Sequence, residues 1–198
     1  MMITSITHKY IAACALFTLA IPSFSQSTQL PHTAPAPTTV AASPYAGEQS
    51  REIKSLPASE IKALHQGAGM GYAKAAELNG YPGPMRVLEL ARPLQLSDQQ
   101  RQTSEELMVQ HKATARTLGG QLVDAERALD TAFAQKQIDA QRIAELTQRI
   151  GQLQATLRAE HLQTHLQQTA LLNPQQIERY QTLRGYDKSA GHTHQHAH

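Results

Sequence analysis

Seven histidines carry most of the chemistry this sequence offers. In "AEHLQTHLQ", His161 and His165 are four residues apart, so on a helix both imidazoles lie on one side and can share an ion. His111 sits on a second long periodic segment, in line with Leu107 and Leu118, and therefore faces a partner helix. The three rings can converge there, with Glu160 or Glu105 close enough to supply an oxygen. The helical-wheel angle puts His161 at the edge of the inner stripe and His165 further out, which argues against a tight cage. The plainer alternative is a hydrogen-bonded core His111 and a polar helix face bearing the other two. The C-terminal "GHTHQHAH" adds His192, His194, His196 and His198 at alternate positions, a pattern that chelates Zn²⁺, Cu²⁺ or Ni²⁺ with little geometric demand. Leu-Gln-Thr separates His161 from His165, so the HExxH general base of a zinc protease is missing and a metal would be sensed or sequestered.

No other catalytic set is visible, and no enzyme is expected. The glycine-rich "GAGMGYAKAAELNGYPGP" at 67–84 has GxGxG spacing and follows a short helix, whereas a dinucleotide loop needs a strand and GxGxxG. It reads as a bend that folds one short helix onto the main body. No organic cofactor is indicated. The single cysteine, Cys14, lies in the N-terminal leader, which leaves the rest of the chain without a thiol nucleophile, thiolate ligand or disulfide. Loss of that leader would remove Lys9 and no acid, bringing the net charge from +2 to +1, too little for a nucleic-acid or anionic-membrane footprint.

Long helices must position these groups. Ser97 and Asp98 in "LQLSDQQ" make an N-cap and an acidic first turn, and no proline interrupts the chain from there to about Lys136. Leu107, Leu118, Leu122, Ala125, Leu129 and Phe133 form one apolar stripe; Ile143, Leu146, Ile150, Leu153 and Leu157 form another, after a cap at Asp139. A single antiparallel register pairs Phe133 with Ile143, Leu129 with Leu146, Ala125 with Ile150, Leu122 with Leu153 and Leu118 with Leu157. The same register sets Gly119 and Gly120 opposite Thr156 and Ala155, where the backbones could approach closely, and His111 opposite 164 or 165. A further helix restarts after Asn173-Pro174. Nothing reads as a strand: the fold class is all-α, a long antiparallel α-hairpin with short flanking helices. Val109, Leu162 and Leu166 project away from the inner stripe and are candidate contacts for a dimer partner or a client.

The ends read differently. Residues 1–25 have a positive start, an apolar run of about 12 residues and small residues Ser23 and Ser25 at the exit, which is a secretory signal peptide too short to span a membrane. A lipoprotein cut at "IAAC" would leave Cys14 almost no apolar stretch before it. Residues 26–50 are a Pro/Ser/Thr/Ala-rich disordered linker, 51–83 a short helical extension, 84–186 the helical domain and 187–198 the histidine-rich tail. The protein is expected to be exported, to a bacterial periplasm.

"LSDQQ" at 96–100 and "LNPQQ" at 172–176 place Leu96, Gln100, Leu172 and Gln176 in a doubled motif, one copy at each end of the hairpin. With "NGYPGPMRVLELA" and "LRGY", the chain resembles the Spy/CpxP superfamily of periplasmic proteins over about residues 84–186, in particular its heavy-metal resistance subgroup. Asn173 stands where Ser or Thr is usual. The resemblance implies a non-enzymatic, cradle-shaped helical protein, often a homodimer. The family's metal-responsive members, like ZraP and CnrX, bind divalent ions through hairpin histidines and carboxylates, a role that would fall here to His161 and His165. Its stress chaperones hold unfolded periplasmic clients without ATP, which is the alternative function.

Overall fold

The computed structural model describes residues 41–186. The expected leader, most of the proline-rich segment expected to be a linker and the four tail histidines lie outside the described residues. Six helices follow in order: α1 (Ala58–His65), α2 (Lys74–Glu77), α3 (Pro84–Glu89), α4 (Asp98–Ala134), α5 (Ala140–Ala170) and α6 (Pro174–Arg184). Among the described residues the only extended pairing is an isolated bridge between Ile53 and Leu56.

The long helices start where their caps dictate. Ser97 Oγ accepts from the Gln100 N–H (3.1 Å) while Gln100 Oε1 accepts from the Ser97 N–H (3.0 Å), a reciprocal capping box. Asn173 and Gln176 repeat it at α6, with Asn173 Oδ1 2.8 Å from the Gln176 nitrogen and Gln176 Oε1 2.9 Å from that of Asn173. Asp139 Oδ1 caps α5 through the Arg142 N–H at 2.8 Å. With 37 residues, α4 is about 55 Å long at 1.5 Å per residue. It packs along α5 in the expected register, and His111 meets Thr164 across the seam.

Two clusters make the core. Ala115, Leu122 and Val123 of α4 pack with Ile150, Leu153 and Leu157 of α5, and Ile53, Leu56 and Leu64 cover them from the N-terminal side. Val87, Leu94, Leu172 and Tyr180 form the second cluster, where α3 and α6 close the open end of the hairpin. Residues 51–83 thus build the same core as the hairpin. Ser55 donates to Glu126 (2.9 Å), Lys54 pairs with Asp130 (3.1 Å) and Glu52 with Arg127 (3.0 Å), which fastens the segment before α1 along α4.

Two expectations from the sequence need correction. Because α1 covers a second face of α4, the buried positions there are Ser104, His111, Ala115, Gly119, Leu122, Val123 and Glu126. Leu107, Leu118, Ala125 and Leu129 are only half-buried, and Phe133 and Ile143 at the hairpin tip are exposed. Secondly, the close approach at Gly119 is made by α1: a Cβ there would fall on the backbone carbonyl of Leu64, and Thr156 and Ala155 are exposed.

That geometry decides the sign of a substitution. Gly119→Ala gains roughly 1 kcal/mol of helix propensity, but overpacking against unyielding backbone costs about 1–3 kcal/mol or more. A net destabilisation of about 1–2 kcal/mol is expected. Gly151→Ala, with nothing within 4 Å of the added methyl, is expected to stabilise by about 1 kcal/mol. Urea midpoints of the two variants check this, and shifts of the same sign would contradict the seating of α1.

Candidate metal-binding cleft

The turn after α1, the start of α3 and the facing sides of α4 and α5 enclose a cleft of about 460 Å³. Gly67 and Gly71 shape its rim with φ of 59° and 78°, values that favour glycine. Gly67 also lies against α4, where a Cβ would come within 3.2 Å of Ala115 and of the Lys112 carbonyl. Lys112 Nζ donates to the Gly67 carbonyl at 3.1 Å. The glycine segment therefore folds α1 back onto the hairpin, as its spacing suggested.

His111, His161 and His165 all line this cleft. Thr164 donates its hydroxyl hydrogen to the Glu160 carbonyl (2.9 Å), so its oxygen is an acceptor for His111. His111 Nδ1 lies 3.0 Å from that oxygen and 3.2 Å from Glu160 Oε1. Two acceptors around Nδ1 place the ring hydrogen there and leave the Nε2 lone pair free. His165 is arranged in the same way, because its Nδ1 is 2.7 Å from the Tyr81 carbonyl, which can only accept. Gly83 makes room for that ring: a Cβ there would be 2.6 Å from His165 Nε2.

His161 is the unusual member. It is 4% exposed, stacks on Tyr72 with ring centroids 5.4 Å apart, and meets His111 edge-on at 4.6 Å. Its Nε2 is buried with no hydrogen-bond partner, a condition that costs about 1–3 kcal/mol. Burial, reinforced by the neighbouring charges of His111, His165 and Lys112, pushes its pKa down to about 4. Burial also lowers His111, against the opposing pull of Glu160. Near pH 7 both rings are neutral imidazoles, the form that binds metal.

The expectation that His161 is an edge residue is thus corrected: Tyr72, in the segment before α2, covers it from outside the hairpin. Glu160 is the nearby carboxylate, while the exposed Glu105 pairs with Arg101 at 3.3 Å. The three rings share one cleft but do not form a cage. Among the described residues no group of three or more His, Cys, Asp or Glu could hold an ion as the side chains stand. Of the outward apolar candidates, Val109 and Leu166 are exposed and Leu162 is half-buried.

Several contributors have little or no signature in the sequence. Glu77 accepts from the hydroxyls of Tyr180 and Tyr186 and lies 3.8 Å from His165 Nδ1, so it joins α2, α5 and α6 beside the cleft. Burial, with Glu77 adjacent, raises the Tyr180 pKa and keeps that hydroxyl a donor. Thr164, close to one turn beyond His161, is the only one of these with a periodic signal. The motif glutamines, by contrast, are structural. Gln100 donates to the Leu171 carbonyl (2.7 Å) and to Gln176 (2.9 Å), while Gln176 donates back to Gln100 at 3.0 Å.

The profile of the heavy-metal resistance family matches residues 63–179, more than half of the chain. The chain belongs to that family. The heavy-metal resistance family sits in the Spy/CpxP/ZraP-like clan, in keeping with the resemblance carried by the doubled motif. The match takes in α2, α3, all of α4 and α5 and part of α6, and so includes the three cleft histidines. No curated protein and no solved structure matches the chain. None of its helices, among the described residues, is long and apolar enough to cross a membrane.

Proposed function

We propose that this protein is a non-enzymatic, exported binder of heavy-metal ions, which buffers or senses Zn²⁺, Cu²⁺ or Ni²⁺ in the periplasm. The carrying observation is the buried, unpartnered Nε2 of His161 beside two histidines whose Nε2 lone pairs are free. A coordinated ion would satisfy that nitrogen, and neutral imidazoles are the ligands such ions take. Assembly of a shared site needs side-chain rotation about a preformed cleft. The tail histidines would act as a second, less selective chelator.

The test is calorimetric titration of the three ions into the chain without its leader, with His192, His194, His196 and His198 replaced by alanine. One tight site is expected, weakened about 100-fold or more by His161→Ala/His165→Ala, since even outer-shell losses cost 10–100-fold. Wild-type affinity in that double variant would sink the reading. It would move the alternative forward, an ATP-independent chaperone that holds unfolded clients, judged by how well the metal-free chain suppresses client aggregation. Exposed Val109 and Leu166, which the hairpin register sets at one level, favour that alternative and a homodimer.

A further inference from the structure

The methionines are not placed as core residues. The chain has five; two are Met1 and Met2, and the other three, Met70, Met85 and Met108, all line the cleft that holds His111, His161 and His165. They come from three separate places: the turn after α1, the first turn of α3 and the N-terminal half of α4. Packing does not call for them. Met70 and Met85 are 39% and 42% exposed, and neither belongs to the core clusters. Met70 is held at φ 43°, between Gly69 and Gly71, where a side chain is strained and a third glycine would be easier.

Charge points the same way. Of the four cations that line the cleft, Arg86 pairs with Glu89 at 2.6 Å and Arg184 lies 3.7 Å from Glu77, while Lys74 and Lys112 have no carboxylate partner among the described residues; Glu77 is engaged by Tyr180 and Tyr186, and Glu160 by His111. Such a field repels a dication about twice as strongly as a monocation at the same place. Thioethers are neutral at every pH and cannot offset that repulsion. They are soft donors, and with imidazole they suit Cu⁺ rather than Zn²⁺ or Ni²⁺. No cysteine is present among the described residues to supply a thiolate instead.

We propose that the cleft is a site for a soft monovalent ion, Cu⁺ or Ag⁺, held by thioethers of Met70, Met85 and Met108 together with imidazole from His161 and its neighbours. This rests on the metal-binding reading above and adds a soft monovalent ion to the divalent ions named there. No redox step is involved, since the ion enters and leaves in the same oxidation state.

The test uses the chain without its leader and with the four tail histidines replaced, titrated anaerobically with Cu⁺ against a chromophoric Cu⁺ chelator, and separately with Ag⁺ and Zn²⁺. Met70→Leu/Met85→Leu/Met108→Leu keeps apolar bulk and removes every thioether of the cleft, so the variant should remain folded by circular dichroism. The expected result is a loss of at least about tenfold in Cu⁺ and Ag⁺ affinity, with Zn²⁺ affinity unchanged. Ag⁺ should also shift the methionine methyl carbon resonances of the unsubstituted chain, a readout that needs no variant. Unchanged Cu⁺ affinity in the leucine variant, or methyl resonances indifferent to Ag⁺, would overturn the proposal while leaving a Zn²⁺ site intact. If no ion binds the unsubstituted chain, the broader metal reading fails with it.

Discussion

Acidification from pH 7 to 4 is expected to remove on the order of 3 kcal/mol of folding stability through His161. Its pKa is pushed to about 4 in the fold against an ordinary 6.5, and a displacement of one pH unit corresponds to about 1.4 kcal/mol. Between those values the unfolded chain holds a proton that the native ring refuses, so falling pH favours unfolding. The contribution is complete above about 6.5 and is lost as pH drops towards 4. Every group facing the ring fits that direction: His111 and Lys112 on α4 and His165 on α5 oppose a charge there, and Tyr72 covers it without offering one. His111 adds to the trend, softened by Glu160. Urea midpoints of the unsubstituted chain and of His161→Leu, taken across this range, isolate the effect, because all carboxylates are common to both. Parallel pH profiles would show that His161 titrates normally.

Gln176→Ala is expected to destabilise the protein by about 3 kcal/mol. The buried side chain accepts from the Asn173 N–H, exchanges hydrogen bonds with Gln100 in both directions and donates to the Leu94 carbonyl at 3.3 Å. Loss of the capping box accounts for about 1 kcal/mol. Stranding Gln100 and Leu94 adds about 1–3 kcal/mol. Gln100→Ala should do comparable harm through Ser97 and Leu171. Because each amide is the other's partner, the double variant should cost less than the two single losses together, by about 1–2 kcal/mol in a double-mutant cycle. Strict additivity would mean that the two glutamines act as separate caps.

The features legible in the sequence are those written into neighbouring residues. Ser97, Asp139 and Asn173 announce three helix starts because an N-cap is a local contact, and the leucine and isoleucine spacings define the α4–α5 register because the period maps directly onto a face. What lies on the second face of α4 is not legible. Gly119 could accommodate any close neighbour, and only tertiary structure reveals that neighbour as Leu64. His161 suffers likewise: its angle on the helix is right, but Tyr72 buries it from a segment with no periodicity of its own. The convergence of Met70, Met85 and Met108 is hidden for the same reason, since two of the three sit in short segments outside the hairpin. The doubled motif is recognisable as a pattern, yet the reciprocal amide exchange between Gln100 and Gln176 needs both helix ends in view.

That exchange also has a place in time. Residues on either side of the Gln135–Asp139 turn are near one another from the outset, whereas Gln100 and Gln176 are 76 positions apart. Bringing them together in an open chain is entropically expensive, but after the hairpin has zipped from its turn they arrive already aligned. The two amides are therefore expected to fasten after the hairpin. A clasp closed after the hairpin has formed bears on how slowly the fold comes apart more than on the speed of assembly.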